Sequence, residues 1–165
     1  MSATSKSTVD VAFVVNGSAI SDAVTPRITL VDFLRQRLGL TGSHVGCEHG
    51  VCGACHVRVD GQVLRGCLFF AVQADGAEVQ TIEGLSASGE IADLQDVFVR
   101  RNAMQCGFCT PGVLMIAADL LARREVPSRE AIRDALSGNY CRCTGYQSIV
   151  DAIEEVARAR HGLAV

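Results

Sequence analysis

Val9, Val11, Phe13 and Val15 alternate with other residues and run into Asn16-Gly17. A period of two that ends in Asn-Gly predicts a strand entering a tight hairpin. Thr29 then precedes Leu30-Val31-Asp32-Phe33-Leu34-Arg35-Gln36-Arg37-Leu38, with Gly39 behind it. That is a cap, a helical apolar pattern and a terminal glycine in the order a helix requires. Val57-Arg58-Val59, Asp60-Gly61 and Gln62-Val63-Leu64 predict a second hairpin, and Glu78 to Ile82 a closing strand. The small-residue stretch Gly84-Leu85-Ser86-Ala87-Ser88-Gly89 breaks the pattern and is expected to be a linker. Beyond it the pattern turns helical, over Asp93 to Met104, Thr110 to about Arg124, Ser128 to Leu136, and about Tyr146 to His161. Pro111 suits the first turn of the second of these. The expected class is α+β: a β-rich domain over residues 1–83, a linker over 84–90, and a four-helix domain over 91–165.

A chain of 165 residues has room for one ordinary domain or two small ones. With 48% hydrophobic and 20% charged residues it is not generally disordered. Its apolar stretches fall well short of the ~20 residues of a membrane span. A net charge of −3 offers no broad footprint for nucleic acid or an anionic membrane. The eight cysteines change the picture. The opening Met1-Ser2-Ala3-Thr4-Ser5-Lys6-Ser7-Thr8 has no apolar segment after it of the secretory type, so a cytoplasmic, reducing setting is expected. There, thiols serve as metal ligands or redox groups more readily than as a disulfide framework.

The cysteines divide along the same boundary as the pattern. Cys47, Cys52, Cys55 and Cys67 fall in the β half with spacing C-x4-C-x2-C-x11-C. Cys106, Cys109, Cys141 and Cys143 fall in the helical half with spacing C-x2-C-x31-C-x-C. Four thiolates per half suit one closed metal centre each. The first three positions of the outer set match the plant-type spacing of a 2Fe-2S cluster, and interleaved glycines let amides turn toward its sulfurs. The inner set is less diagnostic, since C-x2-C followed far off by C-x-C also suits zinc. Cys109 precedes one predicted helix start and Cys143 another, so two helix N-termini could turn toward an anionic centre.

Gly46-Cys47, Cys52-Gly53-Ala54-Cys55, Gln105-Cys106-Gly107-Phe108-Cys109-Thr110-Pro111-Gly112 and Asn139-Tyr140-Cys141-Arg142-Cys143-Thr144-Gly145-Tyr146 together resemble one family. It is the small iron–sulfur subunit of the molybdenum hydroxylases, the xanthine oxidase family that includes carbon monoxide dehydrogenase and N-heterocycle hydroxylases. The resemblance implies an outer cluster on Cys47, Cys52, Cys55 and Cys67 in a β-grasp, plant-ferredoxin-like domain. It implies an inner cluster on Cys106, Cys109, Cys141 and Cys143 in a four-helix domain. Gln105 and Cys143 match positions that approach the molybdopterin in such proteins. His56 departs from the Thr common after the third cysteine.

The implied activity is electron transfer within an oxidoreductase that oxidises its substrate with water. The implied partners are a large subunit with molybdopterin, in the cytosine dinucleotide form, and a medium subunit with FAD, in a dimer of heterotrimers. An aromatic N-heterocycle or carbon monoxide is the expected substrate. The rival readings are a free-standing two-cluster carrier and a double zinc interaction module.

His49 lacks the second histidine of a Rieske pair and reads as a loop residue. His44, Glu48 and His161 read as surface, and Arg100-Arg101 and Arg123-Arg124 as solvated faces or contacts to a partner. Arg142 lies between two thiols, where its charge would either favour the reduced inner centre or be solvated away. No nucleophile–base set, Walker loop or dinucleotide fingerprint is present, so no substrate site is expected on this chain.

Overall fold

The computed structural model describes residues 7–123 and 125–164. Residues 1–6, most of the N-terminal segment considered above, lie outside them, as do Arg124 and Val165. Strands β1 (Val9–Val15) and β2 (Ser18–Val24) form the first hairpin, and β3 (His56–Val59) and β4 (Gln62–Arg65) the second. Both turns use left-handed backbone at two successive residues, Asn16-Gly17 and Asp60-Gly61, the twist that matches paired strands. The short β5 (Glu78–Gln80) completes the sheet, in the order β2-β1-β5-β3-β4. Only the β1–β5 pair is parallel.

Helix α1 (Leu30–Gln36) begins where the sequence places it: the Asp32 N–H donates to the Thr29 hydroxyl at 3.2 Å. Such a cap contributes about 1 kcal/mol. Leu30, Phe33 and Leu34 join Val11, Phe13, Val57 and Val79 in one core, where the Phe13 and Phe33 rings lie 5.4 Å apart. A smaller apolar group holds Val31, Cys55 and Cys67, with Val45 against it.

The stretch expected as a linker is helical instead. Helix α2 covers Ile82–Ser88 and ends on left-handed Gly89. Ile82 and Leu85, three residues apart, present one apolar stripe and bury it in the core of the helical half. Tertiary burial overrides the weak helical preference of Gly and Ser here. The four predicted helices follow as α3 (Ala92–Arg100), α4 (Thr110–Leu121), α5 (Arg129–Leu136) and α6 (Gln147–Arg160). Helix α4 ends at Leu121, and the closing strand stops at Gln80 rather than Ile82. The second core gathers apolar side chains of α2 to α6 and is separate from the first. Among the described residues, no helix is long and apolar enough to cross a membrane. The architecture is α+β.

Candidate metal centres

The outer thiols sit on the loop between α1 and β3 and on the turn after β4. Val51 and Cys52 donate their N–H groups to Cys47 Sγ at 3.3 and 3.4 Å. Burial works to raise the Cys47 thiol, but the amides of Cys52, His49 and Val51 outweigh it and bring its pKa down to about 6. Cys55, well inside, is pushed up to about 12 by burial. The inner thiols sit on the α3–α4 and α5–α6 connections, with Cys109 as the residue capping α4. Burial likewise pushes Cys109 up to about 12. Cys141 is shifted down: burial opposes the shift, and the Thr144 hydroxyl at 3.0 Å, with neighbouring amides, overcomes it.

Within each set the thiols are neighbours of one another. Cys47 interacts with Cys52 and Cys55 with Cys67. Cys109 interacts with Cys141, and Cys106 Sγ lies 3.5 Å from Cys143 Sγ. A 2Fe-2S cluster is held by four thiolates, so four neighbouring thiols in each half match its donor set. All eight residues are free cysteines.

The loop carrying Cys141 and Cys143 is clamped by Tyr146, which caps α6 with φ 68°. Its hydroxyl accepts from the Cys141 N–H at 2.8 Å and donates to the Asn139 carbonyl at 3.0 Å. Gln105 and Cys143, the two residues expected near the molybdopterin, are brought together: Gln105 Nε2 donates to the Cys143 carbonyl at 3.1 Å. Both are exposed, as are Cys106, Met104 and Phe108.

His49 folds back to hydrogen-bond the Cys47 carbonyl, and Glu48 and Arg142 are exposed. Arg100 and Arg101 both bind Glu155, Arg123 pairs with Asp119, and His161 Nδ1 lies 2.8 Å from the Ala157 carbonyl. His44 does more than the sequence indicated. Its ring stacks on Phe108 at 4.8 Å and its Nδ1 lies 2.8 Å from the Phe108 carbonyl, joining the outer loop to the inner.

A polar cluster between the two thiol loops escaped the sequence reading. Buried His56 has Nδ1 at 3.3 Å from Nδ2 of buried Asn139, which also donates to the Gly53 carbonyl at 3.3 Å. Arg65 donates to the Gly138 carbonyl, also at 3.3 Å. Burial lowers the His56 pKa to about 4, with Arg65 adding to the effect, so the imidazole is neutral at pH 7. These partners stand 73 to 86 positions apart in sequence, beyond the reach of any local pattern.

Comparison with known proteins agrees with this arrangement. The 2Fe-2S iron-sulfur cluster binding domain family matches residues 13–86, and the [2Fe-2S] binding domain family matches residues 81–154. The chain is 49% identical to caffeine dehydrogenase subunit gamma of Pseudomonas sp. (strain CBB1), over 89% of this chain and 90% of that one. It is 52% identical to the nicotine 6-hydroxylase small subunit of Paenarthrobacter nicotinovorans, over 84% of each. The crystal structure of quinoline 2-oxidoreductase from Pseudomonas putida 86 superimposes with a TM-score of 0.87 at 46% identity, over 96% of this chain and 99% of that one. The chain belongs to the small iron–sulfur subunits of the molybdenum hydroxylases. Its role is that of an electron-transfer subunit of an oxidoreductase, with two 2Fe-2S binding domains.

Proposed function

We propose that this chain connects a large molybdenum-bearing partner to a medium FAD-bearing partner, serving the oxidation of an aromatic N-heterocycle. The gathering of four thiols in each half carries the reading. Cys47, Cys52, Cys55 and Cys67 would hold the outer cluster in a β-grasp unit over residues 1–83, and Cys106, Cys109, Cys141 and Cys143 the inner one in a four-helix unit over residues 91–165. Bound clusters supply one-electron carriers, which zinc cannot, so a two-electron oxidation can be drawn off in single steps.

The chain's own residues prepare these sites. Amides aimed at Cys47 favour its thiolate, the form that binds metal. Tyr146 and Thr144 hold the Cys141 loop in shape. Gln105, Cys106 and Cys143 form an exposed face suited to the large partner and its molybdopterin, expected as the cytosine dinucleotide. Eight free thiols fit a cytoplasmic setting. The relatives named for caffeine, nicotine and quinoline support an N-heterocyclic substrate, and the assembly expected is a dimer of heterotrimers.

The test is to purify the chain anaerobically from its native host. A red-brown complex with a much larger chain, acid-labile sulfide and two distinct EPR signals on reduction is the expected result. A colourless zinc protein, or a two-cluster protein that purifies alone, overturns it.

A further inference from the structure

The two thiol loops touch through backbone at one short hydrogen bond. The Tyr140 N–H, next to Cys141, donates to the carbonyl of Cys52 at 2.9 Å. A thiol-bearing residue of the outer set is thereby joined to the neighbour of one in the inner set. Around this bond lies the buried cluster of His56, Asn139 and Arg65. His56 directly follows Cys55, Asn139 lies two residues before Cys141, and Gly112 lies three after Cys109.

Hydrogen-bond polarity fixes what each group does. The Gly53 carbonyl can only accept, so the Asn139 atom facing it is the amide N–H, and the same NH2 group faces His56 Nδ1. Nδ1 must therefore accept, which leaves the ring neutral with its N–H on Nε2. A single neutral ring thus ties the residue after Cys55 to the approach to Cys141. The cluster also leaves Arg65 Nε and Asn139 Oδ1 buried without a protein partner. Such violations of polar satisfaction concentrate at positions kept for function rather than for stability.

We infer that His56 is a positioning residue for electron transfer between the two centres, its ring holding the inner loop in register so that the Cys52–Tyr140 contact persists. The inference rests on both sets carrying clusters, as proposed above. In the step concerned one electron leaves the inner centre, oxidising it, and reduces the outer centre. No bond is made or broken, so its rate depends on how the two loops are held.

Three variants of the intact complex test it. In His56→Gln the side-chain oxygen can accept from Asn139 while its NH2 keeps a donor, reproducing the polarity of the ring. His56→Asn is too short to meet Asn139 in the same way, and His56→Leu offers it no acceptor. The readouts are iron and sulfide content, the magnetic splitting between the two centres in the EPR spectrum after dithionite reduction, deuterium uptake at the Tyr140 amide, and electron equilibration between the centres after flash reduction by a deazaflavin radical.

His56→Gln should match the wild type on all four. His56→Leu should keep its iron and sulfide but show reduced splitting, faster Tyr140 exchange and equilibration slowed about tenfold or more, the scale on which small misplacements of reacting groups act. Should His56→Leu fail to assemble, His56→Asn is expected to show the same changes to a smaller degree. Wild-type splitting and equilibration in the Leu or Asn variant with full iron overturns the inference, as does a Gln variant that behaves like Leu. A wild-type complex without two reducible centres would instead overturn the relay itself.

Discussion

Gly112 shows how little space separates the two thiol loops. A Cβ built there would stand 2.1 Å from the Gly53 carbonyl oxygen, a backbone atom that cannot swing away. Gly53 is constrained in turn: its φ is +73°, and a Cβ on it would lie 2.4 Å from the Gly138 carbonyl. Substituting Gly112→Ala should force the loops apart at a cost of about 1–3 kcal/mol, the range for overpacking. Thermal unfolding of the cluster-loaded protein should show the loss, together with faster exchange at the Tyr140 amide. An unchanged melting temperature would mean that the start of α4 is free to move. Nothing in the local sequence marks Gly112 as tight, because it follows Thr110-Pro111 as an ordinary first-turn residue and its neighbour Gly53 is far away in the chain. The outer C-x4-C-x2-C run could be read because its spacing is local; that Cys106 meets Cys143 across 37 positions could not.

Helices and hairpins divide the same way. The two hairpins and α1 could be read because turn chemistry and capping act within four residues, as the Asn16-Gly17 turn and the Thr29 cap show. Helix α2 could not, because only the far core gives Ile82 and Leu85 a reason to share a face. Packing of α3 against α6 adds a charged seam of equally long range. Arg160 holds both carboxylate oxygens of Asp93, at 2.7 and 2.8 Å, while Arg100 and Arg101 converge on Glu155. The guanidinium of Arg160 keeps the Asp93 carboxyl below its ordinary value of 3.8, against a smaller opposing effect of burial. A carboxyl depressed in the folded state takes up protons more readily when unfolded. Its stabilisation is therefore present above the ordinary value and fades as pH falls through the depressed one. Asp93→Asn should cost about 0.2–1 kcal/mol at pH 7, as for other solvent-accessible pairs, and the gap to the wild type should close at the acid end. Urea denaturation of both proteins at pH 7 and in steps down to the acid limit of folding measures this directly. A gap that persists in acid would assign the effect to packing rather than charge.

At the scale of the whole molecule, each half has its own apolar core, and the join between them combines a polar cluster with Val63 of β4, which packs against the helical core. Cys143 lies on the exposed rim of the inner set, in contact with Cys106 and Gln105 and remote from the core of the β half. Replacing its sulfur with oxygen removes one thiolate from an iron pair without opening a cavity or leaving a buried group unpaired. Cys143→Ser should therefore abolish the inner EPR signal and lower the iron content by up to half. The outer centre should remain reducible, because Cys47, Cys52, Cys55 and Cys67 are held by α1, the β3–β4 hairpin and their own small apolar group. The reciprocal change, Cys47→Ser, should silence the outer signal alone. The polar join sets the limit on this independence. If the two halves folded as one cooperative unit through His56, Asn139 and Arg65, losing either set would drag the other with it, and both signals would vanish together in each variant. Separate apolar cores favour the first outcome, since apolar burial within each half contributes far more to folding than a few hydrogen bonds and the Val63 contact at the seam.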